Sequence, residues 1–292
     1  MRFRFIENHR SEFSVKKMCR VLEVSRSGYL KWRNHKPSKQ EERKKAIQEK
    51  ILFYYYDHHK IYGSTKITKK LQKDDGYRIS ERTVSNYMRE LELRSCVSKK
   101  YKVSTTDSNH LFPIAPNKLN QQFTVSDPNK VWVTDITYIP CREGKLYLAT
   151  VLDLYSREIV GWCLDRHMET KLVLTALDNA YEAKKPKEGL LHHSDRGTQY
   201  ASHTYQERLQ DYKMDVSMSR TGNCYDNACA ESFFSLLKKE LIQGKRFKTR
   251  AQAQTAIYRY IEFFYNRKRI HSSIGYVTPV EYAEAYYKNH TV

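Results

Sequence analysis

The chain has 292 residues, is 40% hydrophobic and 13% aromatic, and carries 52 Lys and Arg against 33 Asp and Glu, a formal charge of +19. This composition excludes a disordered chain and suits about two globular domains. No apolar run approaches the roughly 18 residues of a membrane span, and the start, MRFRFIENHR, holds no apolar signal segment.

A balance this basic points to polyanions as partners, nucleic acid above all, because Lys and Arg that neutralise phosphates release condensed counterions. The charge is uneven: residues 1–110 hold 27 Lys and Arg against 13 Asp and Glu, so most of the excess lies in the first third. The six cysteines (19, 96, 141, 163, 224 and 229) include no CxxC pair, which reads as reduced thiols in a cytosolic chain rather than a zinc site.

In SVKKMCRVLEVSRSGYLKWRN, residues 14–34, Val15, Met18, Cys19 and Leu22 recur at helical spacing and Ser25 is placed to cap a second helix. The spacing predicts a helix-turn-helix pair whose second helix offers Arg26 and Lys31 to DNA. A charge-rich helix is expected from Lys39 to Tyr56. A second unit follows in residues 62–93, with Ser80 as cap and Val84, Tyr87, Met88 and Leu91 as the buried face. Arg82, Ser85, Asn86 and Arg89 fall on its other faces, where a DNA-reading helix carries polar contacts. The plainer reading of both units is a small helical domain that binds protein; the local charge favours DNA. These features divide the helical region into 1–60 and 61–96. A linker is expected over 97–123, with Pro113 and Pro116 inside it and Pro128 beyond.

From Val131 the pattern becomes β-rich. VWVTDITYI, Leu146–Leu154, Glu158–Leu164, GLLHHSD and DVSMS read as five strands, with YSR as a hairpin between the second and third. Helices fit Glu169–Lys184, Thr204–Tyr212 and the stretch NACAESFFSLLKKE. The order predicts an α/β domain with a mixed five-stranded sheet flanked by helices.

Three acids stand out. Asp135 lies inside an apolar strand, where an ionised group is costly unless paired or metal-bound. Asp195 ends the fourth strand in HHSDRG, and ligands of α/β sheets gather at strand ends. Glu231 follows 36 positions later on a helix, with Lys238 about 10 Å further along the same side, too far for a salt bridge. Three convergent carboxylates suit two hard divalent cations that serve an in-line phosphoryl transfer, and Lys238 then meets the phosphate backbone. Each acid taken singly reads more simply as a surface or capping residue. Asp153 is a fourth strand acid; it competes as a ligand or, as preferred here, pairs Arg157 in the hairpin.

The strings VWVTDITYIP, YLATVLDLYSREIVGW, HHSDRGTQYAS, SMSRTGNCYDNACAESFFSLLKKE and YNRKRIHSSIGYVTPVEY resemble those of DDE transposases with an integrase catalytic core, over residues 124–285. Nearly the whole chain resembles the second-frame product of family-three bacterial insertion sequences. The resemblance implies a ribonuclease H-like fold, Asp135, Asp195 and Glu231 as ligands of two Mg2+ (or Mn2+) ions, and Lys238 at the terminal DNA. It also implies a transposase that binds the terminal inverted repeats, hydrolyses a strand at the element's end, and lets the exposed 3′-hydroxyl attack another phosphodiester. Such proteins work in the bacterial cytoplasm on nucleoid DNA, as homo-oligomers, with an upstream-frame product (OrfA) as fusion or partner. Whether Met1 is a natural start or a cut within such a fusion stays open. Glu92 stands in RELEL where the helix-turn-helix pattern expects glycine.

His193 and Arg196 flank Asp195 and either position phosphates or, for the histidine, serve as a hydrogen-bonded strand residue. Asn223, Asp226 and Asn227 read as caps of the Glu231 helix, with substrate contact as the other reading. Arg267, Lys268 and Arg269 form either a DNA-binding patch or a solvated charge run. Two further functions compete: a helix-turn-helix regulator with an inactive sheet domain, and a ribonuclease H-like nuclease.

Overall fold

The structure, a computed structural model, describes residues 1–96, 113–220, 223–243 and 247–290. The chain divides into two compact units, Met1–Phe53 and Tyr54–Val292. In the first, α1 (Arg2–Asn8), α2 (Val15–Val21) and α3 (Arg26–Arg33) enclose Ile6, Met18, Cys19 and Tyr29. Ser25 caps α3 as its position predicts, its Oγ accepting from the Gly28 N–H at 3.0 Å. Helix α1 was not foreseen. The charge-rich helix α4 (Lys39–Asp57) carries the chain onward.

The second unit opens with α5 (Ser64–Lys73) and α6 (Glu81–Glu90), which bury Ile67, Leu71, Val84 and Met88. Ser80 caps α6 through the Thr83 N–H at 3.2 Å. Beyond α6 the chain turns through Glu92 at φ 55°, and the Leu93 N–H donates back to the Met88 carbonyl at 2.8 Å. This left-handed closure explains why glycine suits position 92. Tyr62, just before α5, donates to the Lys268 carbonyl at 3.1 Å and accepts from the Ile270 N–H at 2.9 Å, so this helical pair is tied to the C-terminal segment.

The sheet is the mixed five-stranded one expected, in the order β3-β2-β1-β4-β5. Its strands are β1 (Val131–Cys141), β2 (Gly144–Asp153), β3 (Ile159–Asp165), β4 (Leu191–Ser194) and β5 (Asp215–Met218). β1, β2 and β3 pair antiparallel, whereas β1–β4 and β4–β5 are parallel. Helix α7 (Thr170–Lys184) buries Leu172, Val173, Ala176, Leu177 and Ala180 in a core with Trp132, Ala149, Val151 and Val160. Gly161 lets α7 close onto β3: a Cβ there would stand 2.4 Å from the Ala176 carbonyl oxygen.

A short helix α8 (Thr198–Ala201), not predicted, follows β4, and α9 (His203–Asp211) leads to β5. Helix α10 (Ala228–Leu237) continues into a π-helical turn, Lys238–Ile242; α11 (Arg250–Tyr258) continues into a second, Arg259–Tyr265; α12 (Pro279–His290) ends the described chain. Of the expected linker, residues 97–112 lie outside the described residues. Its later part is docked: Leu119 is buried, and the Lys118 and Leu119 N–H groups donate to Ser217 Oγ at 2.9 and 3.2 Å.

Candidate active site

Strand register brings the two aspartates together. β1 and β4 run parallel with Val133 opposite His193, and Asp135 and Asp195 each stand two residues further on, Asp135 inside β1 and Asp195 just past the carboxyl end of β4. Burial and then the charge of Asp195 push the Asp135 carboxyl well above the usual carboxylate range. The Ile136 N–H, at 2.7 Å, opposes this, Glu231 adds to it, and Lys238 offsets part of it. Asp195 Oδ1 accepts from the Gly197 N–H at 2.9 Å. Gly197 leaves this carboxylate room, since a Cβ there would come 3.0 Å from Oδ1.

Glu231 occupies the first turn of α10, and desolvation of its carboxyl raises it above the ordinary value. Among the described residues, no three His, Cys, Asp or Glu side chains stand close enough to hold one metal ion. The structure therefore pairs Asp135 with Asp195 and brings Glu231 near enough to act on Asp135 by charge, without closing a three-acid ligand group. Two neighbouring carboxyls, one of them pushed up by burial and then by the charge of the other, are an all-oxygen donor set whose ionised form a divalent cation would favour, so the residues fit Mg2+ or Mn2+.

Asn227 fixes α10 to the sheet. It stands at the helix's cap position but makes no capping bond; its Nδ2 donates instead to the Thr134 carbonyl at 2.9 Å, one residue before Asp135. Asn223 caps the 3-10 turn Cys224–Asn227 that precedes α10, accepting from the Tyr225 N–H at 3.1 Å, and not α10 itself. Asp226 is not a cap: buried, it accepts from the Arg220 N–H, Nε and Nη2 and from the amides of Asn117 and Gln121, all at 2.8 to 3.0 Å. Lys238 opens the π-helical turn; burial lowers its ammonium and the Asp135 charge works the other way. Its Nζ lies 5.5 Å from the centre of the Tyr138 ring, and Lys145 Nζ lies 5.1 Å from it.

Several expectations are corrected. His193 is buried, its ring nitrogens engaged by Ser217 Oγ at 2.8 Å and Ser219 Oγ at 3.1 Å, and burial pushes its pKa down to about 4. It matches the hydrogen-bonded strand residue, the second of its two readings. Arg269 is likewise buried, forked onto Glu240, which removes it from any DNA-facing patch; Lys268 pairs Asp57 at 2.6 Å, and Arg267 stays exposed. Asp153 is structural, but its partners are the Asn129 N–H, the Ser156 N–H and the Ser156 hydroxyl; the Arg157 side chain reaches Cys229 and the Phe123 carbonyl instead. Arg196 is half-buried with Nε on the Ser219 carbonyl at 2.6 Å. Arg26, Lys31, Arg82 and Arg89 are exposed on their helices.

Tyr200 was missed. It is buried, and burial first, then Tyr205 and the charges of Asp135 and Asp195, hold its pKa well above the ordinary range, with Thr134 opposing. Only its place five residues after Asp195 could have drawn attention to it.

A mixed sheet of this order, with one acid inside β1, a second just past the parallel β4 and a third on α10, is the arrangement expected of an integrase-core protein. Family models described as "Integrase core domain" match residues 125–224 and 231–286, and one described as "HTH-like domain" matches 41–101. The chain belongs to the family of IS3-type insertion-sequence transposases. It is 39% identical over 284 residues to transposase InsF for insertion sequence IS3A of Escherichia coli K12, covering 97% of this chain and 98% of the relative. It is 40% identical over 271 residues to an uncharacterized 31 kDa protein of insertion element IS600 of Shigella sonnei, covering 93% and 99%. Among solved structures it is similar to a simian T-cell lymphotropic virus intasome in complex with a PP2A regulatory subunit, with a TM-score of 0.46, 13% identity and coverage of 83% of this chain and 74% of that one. It is also similar to the HTLV-2 integrase catalytic core in complex with magnesium, with a TM-score of 0.41, 17% identity and coverage of 54% and 97%.

Proposed function

We propose that this transposase binds the terminal inverted repeats of its element and cuts and joins DNA ends by metal-dependent phosphoryl transfer at Asp135, Asp195 and Glu231. The observation that carries the reading is the placement of Asp135 inside β1 beside Asp195 just past β4, where burial first and the charge of Asp195 second oppose its ionisation, an opposition that a bound cation would relieve. These three residues are the ones that would hold two Mg2+ or Mn2+ ions. When bound, such ions polarise phosphoryl oxygens and lower the pKa of an attacking hydroxyl.

The chain's own residues supply the rest. Lys238, beside Asp135, and Arg196 hold phosphates of the DNA end against the carboxylates. Asn227 keeps α10, and with it Glu231, at a set distance from Asp135. In the first step water attacks the phosphorus and the bond to the 3′-oxygen breaks; in the second the freed 3′-hydroxyl attacks another phosphodiester, displacing its 3′-oxygen in turn. The exposed Arg26, Lys31, Arg82, Arg89 and Arg267 grip duplex DNA, and copies of the chain, alone or with OrfA, assemble on paired ends in the bacterial nucleoid.

The test is strand transfer with Mg2+ on labelled DNA carrying the element's end, comparing the wild type with Glu231→Gln and measuring DNA binding in parallel. Joined product from the wild type alone, at equal binding, is the expected result. Equal activity of the two proteins removes Glu231 from the site. Cleavage of RNA in a hybrid, with no DNA joining, replaces the transposase reading by a nuclease one.

A further inference from the structure

Beside the paired aspartates the surface opens into a cavity of about 140 Å³, lined by Asp135, Asp195, Tyr138, Tyr147, Met168 and Gln199 among others. Its acidic side belongs to the site above; its opposite side does not. Tyr138 on β1 and Tyr147 on β2 are direct partners in the antiparallel ladder, so both half-buried aromatic side chains belong to the same face of the sheet. Met168, on the loop between β3 and α7, is 38% exposed, and its carbonyl accepts from Gln199 Nε2 at 3.0 Å, which ties that loop to α8. Two cations from different elements, Lys145 of β2 and Lys238 after α10, both lie within 6 Å of the centre of the Tyr138 ring.

An apolar, aromatic-walled slot flanked by two ammonium groups and opening beside the carboxylates has the chemistry of a single nucleotide: a flat base against rings and a thioether, phosphates against lysines. Lipid or peptide would not call for paired cations around one aromatic ring beside a pair of acids. We propose that this cavity is a nucleotide subsite, which takes one unstacked base of the DNA end between Tyr138, Tyr147 and Met168 while Lys145 and Lys238 hold the phosphates on either side of it. Holding the base out of the stack bends the adjoining phosphate toward Asp135 and Asp195. The subsite rests on the DNA-end reading above, because it needs that end to lie at the two aspartates.

The experiment is a binding cycle with the full chain and duplex ends in which one nucleotide at a time, across the terminal positions, is made abasic. Tyr138→Ala is expected to weaken binding to the intact end by roughly 5- to 150-fold, the range of one base–aromatic stack. At one abasic position wild type and Tyr138→Ala bind alike, because base and ring act as a pair. Tyr138→Phe, which keeps the stacking face, retains the coupling that Tyr138→Ala loses, and Lys145→Ala lowers the salt dependence of binding by about one phosphate contact. If Tyr138→Ala fails to fold, the same cycle is run with the more exposed Met168→Ala. Additive effects at every scanned position overturn the subsite. Strand transfer by the wild type on the unmodified end reports separately on the parent reading: coupling without transfer keeps the subsite and removes the catalysis, and transfer without coupling does the reverse.

Discussion

Arg269 and Glu240 form a forked ion pair inside the second unit, with Nε and Nη2 donating to the carboxylate at 2.7 to 3.0 Å and the two side chains 7% and 1% exposed. The Tyr260 hydroxyl donates to the same carboxylate at 2.8 Å. Glu240 belongs to the π-helical turn opened by Lys238, and Tyr260 to the second π-helical stretch, so the pair joins the end of the Glu231 helix to the segment that Tyr62 grips.

Breaking this pair leaves a buried charge without its partner. Arg269→Met and Glu240→Leu are each expected to destabilise the protein by about 3–5 kcal/mol, whereas the double variant recovers most of that loss. Urea unfolding of the three variants measures it. Single-variant losses below about 1 kcal/mol would show that the pair is not buried in solution.

Asp226 predicts an acid-sensitive link. The Arg220 side chain, chiefly, holds its carboxyl well below the usual value of 3.8, with burial opposing. The folded state therefore prefers the ionised form: this stabilisation is complete above the unfolded pKa and is lost as pH falls from there through the depressed folded value. Asp226→Asn should cost about 2 kcal/mol near neutral pH, and the gap to wild type should narrow below about pH 4. Urea midpoints at pH 7 and pH 3 check the sign; a gap that widens in acid is inconsistent with it.

For Asp135 the sign is reversed. A carboxyl whose folded pKa is raised destabilises the fold at pH values above its unfolded pKa, because ionisation inside the site is opposed. Asp135→Asn should therefore raise the stability of the metal-free protein, by about 1–3 kcal/mol, while abolishing strand transfer. Thermal melts provide a second readout: Mg2+ is expected to raise the Tm of the wild type and leave that of the variant unchanged. A variant less stable than the wild type without metal would contradict a carboxyl raised by burial and the neighbouring charge.

Glu92 closes α6 at φ 55°, a conformation that disfavours any residue with a Cβ. Glu92→Gly relieves this and is expected to stabilise the second unit by about 1 kcal/mol, less the entropy glycine adds to the unfolded chain. A thermal melt compares the two proteins, and an unchanged or lower Tm for Glu92→Gly contradicts the expectation.

Periodicity carried most of the architecture. Alternating and continuous apolar runs marked all five strands, and helical spacing with Ser25 and Ser80 as caps marked α3 and α6, because these patterns reflect local backbone geometry that every copy of the element shares. Asp135 was legible for a related reason: an acid inside an apolar strand conflicts with its neighbours, and such a conflict is visible without a fold. Helix α8 was not legible, since four residues are too few to display a period.

Partnership was settled only by packing. Arg267 and Arg269 are two residues apart in one basic run, yet one faces solvent and the other is buried on Glu240, because a chain folding back over a core can turn adjacent residues of identical charge to opposite environments. His193 found Ser217 and Ser219 across a parallel ladder, Asp153 found Ser156 rather than Arg157, and Tyr138 met Lys145 and Lys238 across a hairpin and a helix end. Composition and spacing name the groups that need a partner; which partner each one meets depends on strand register and helix docking, distances that come into being when the segments pack.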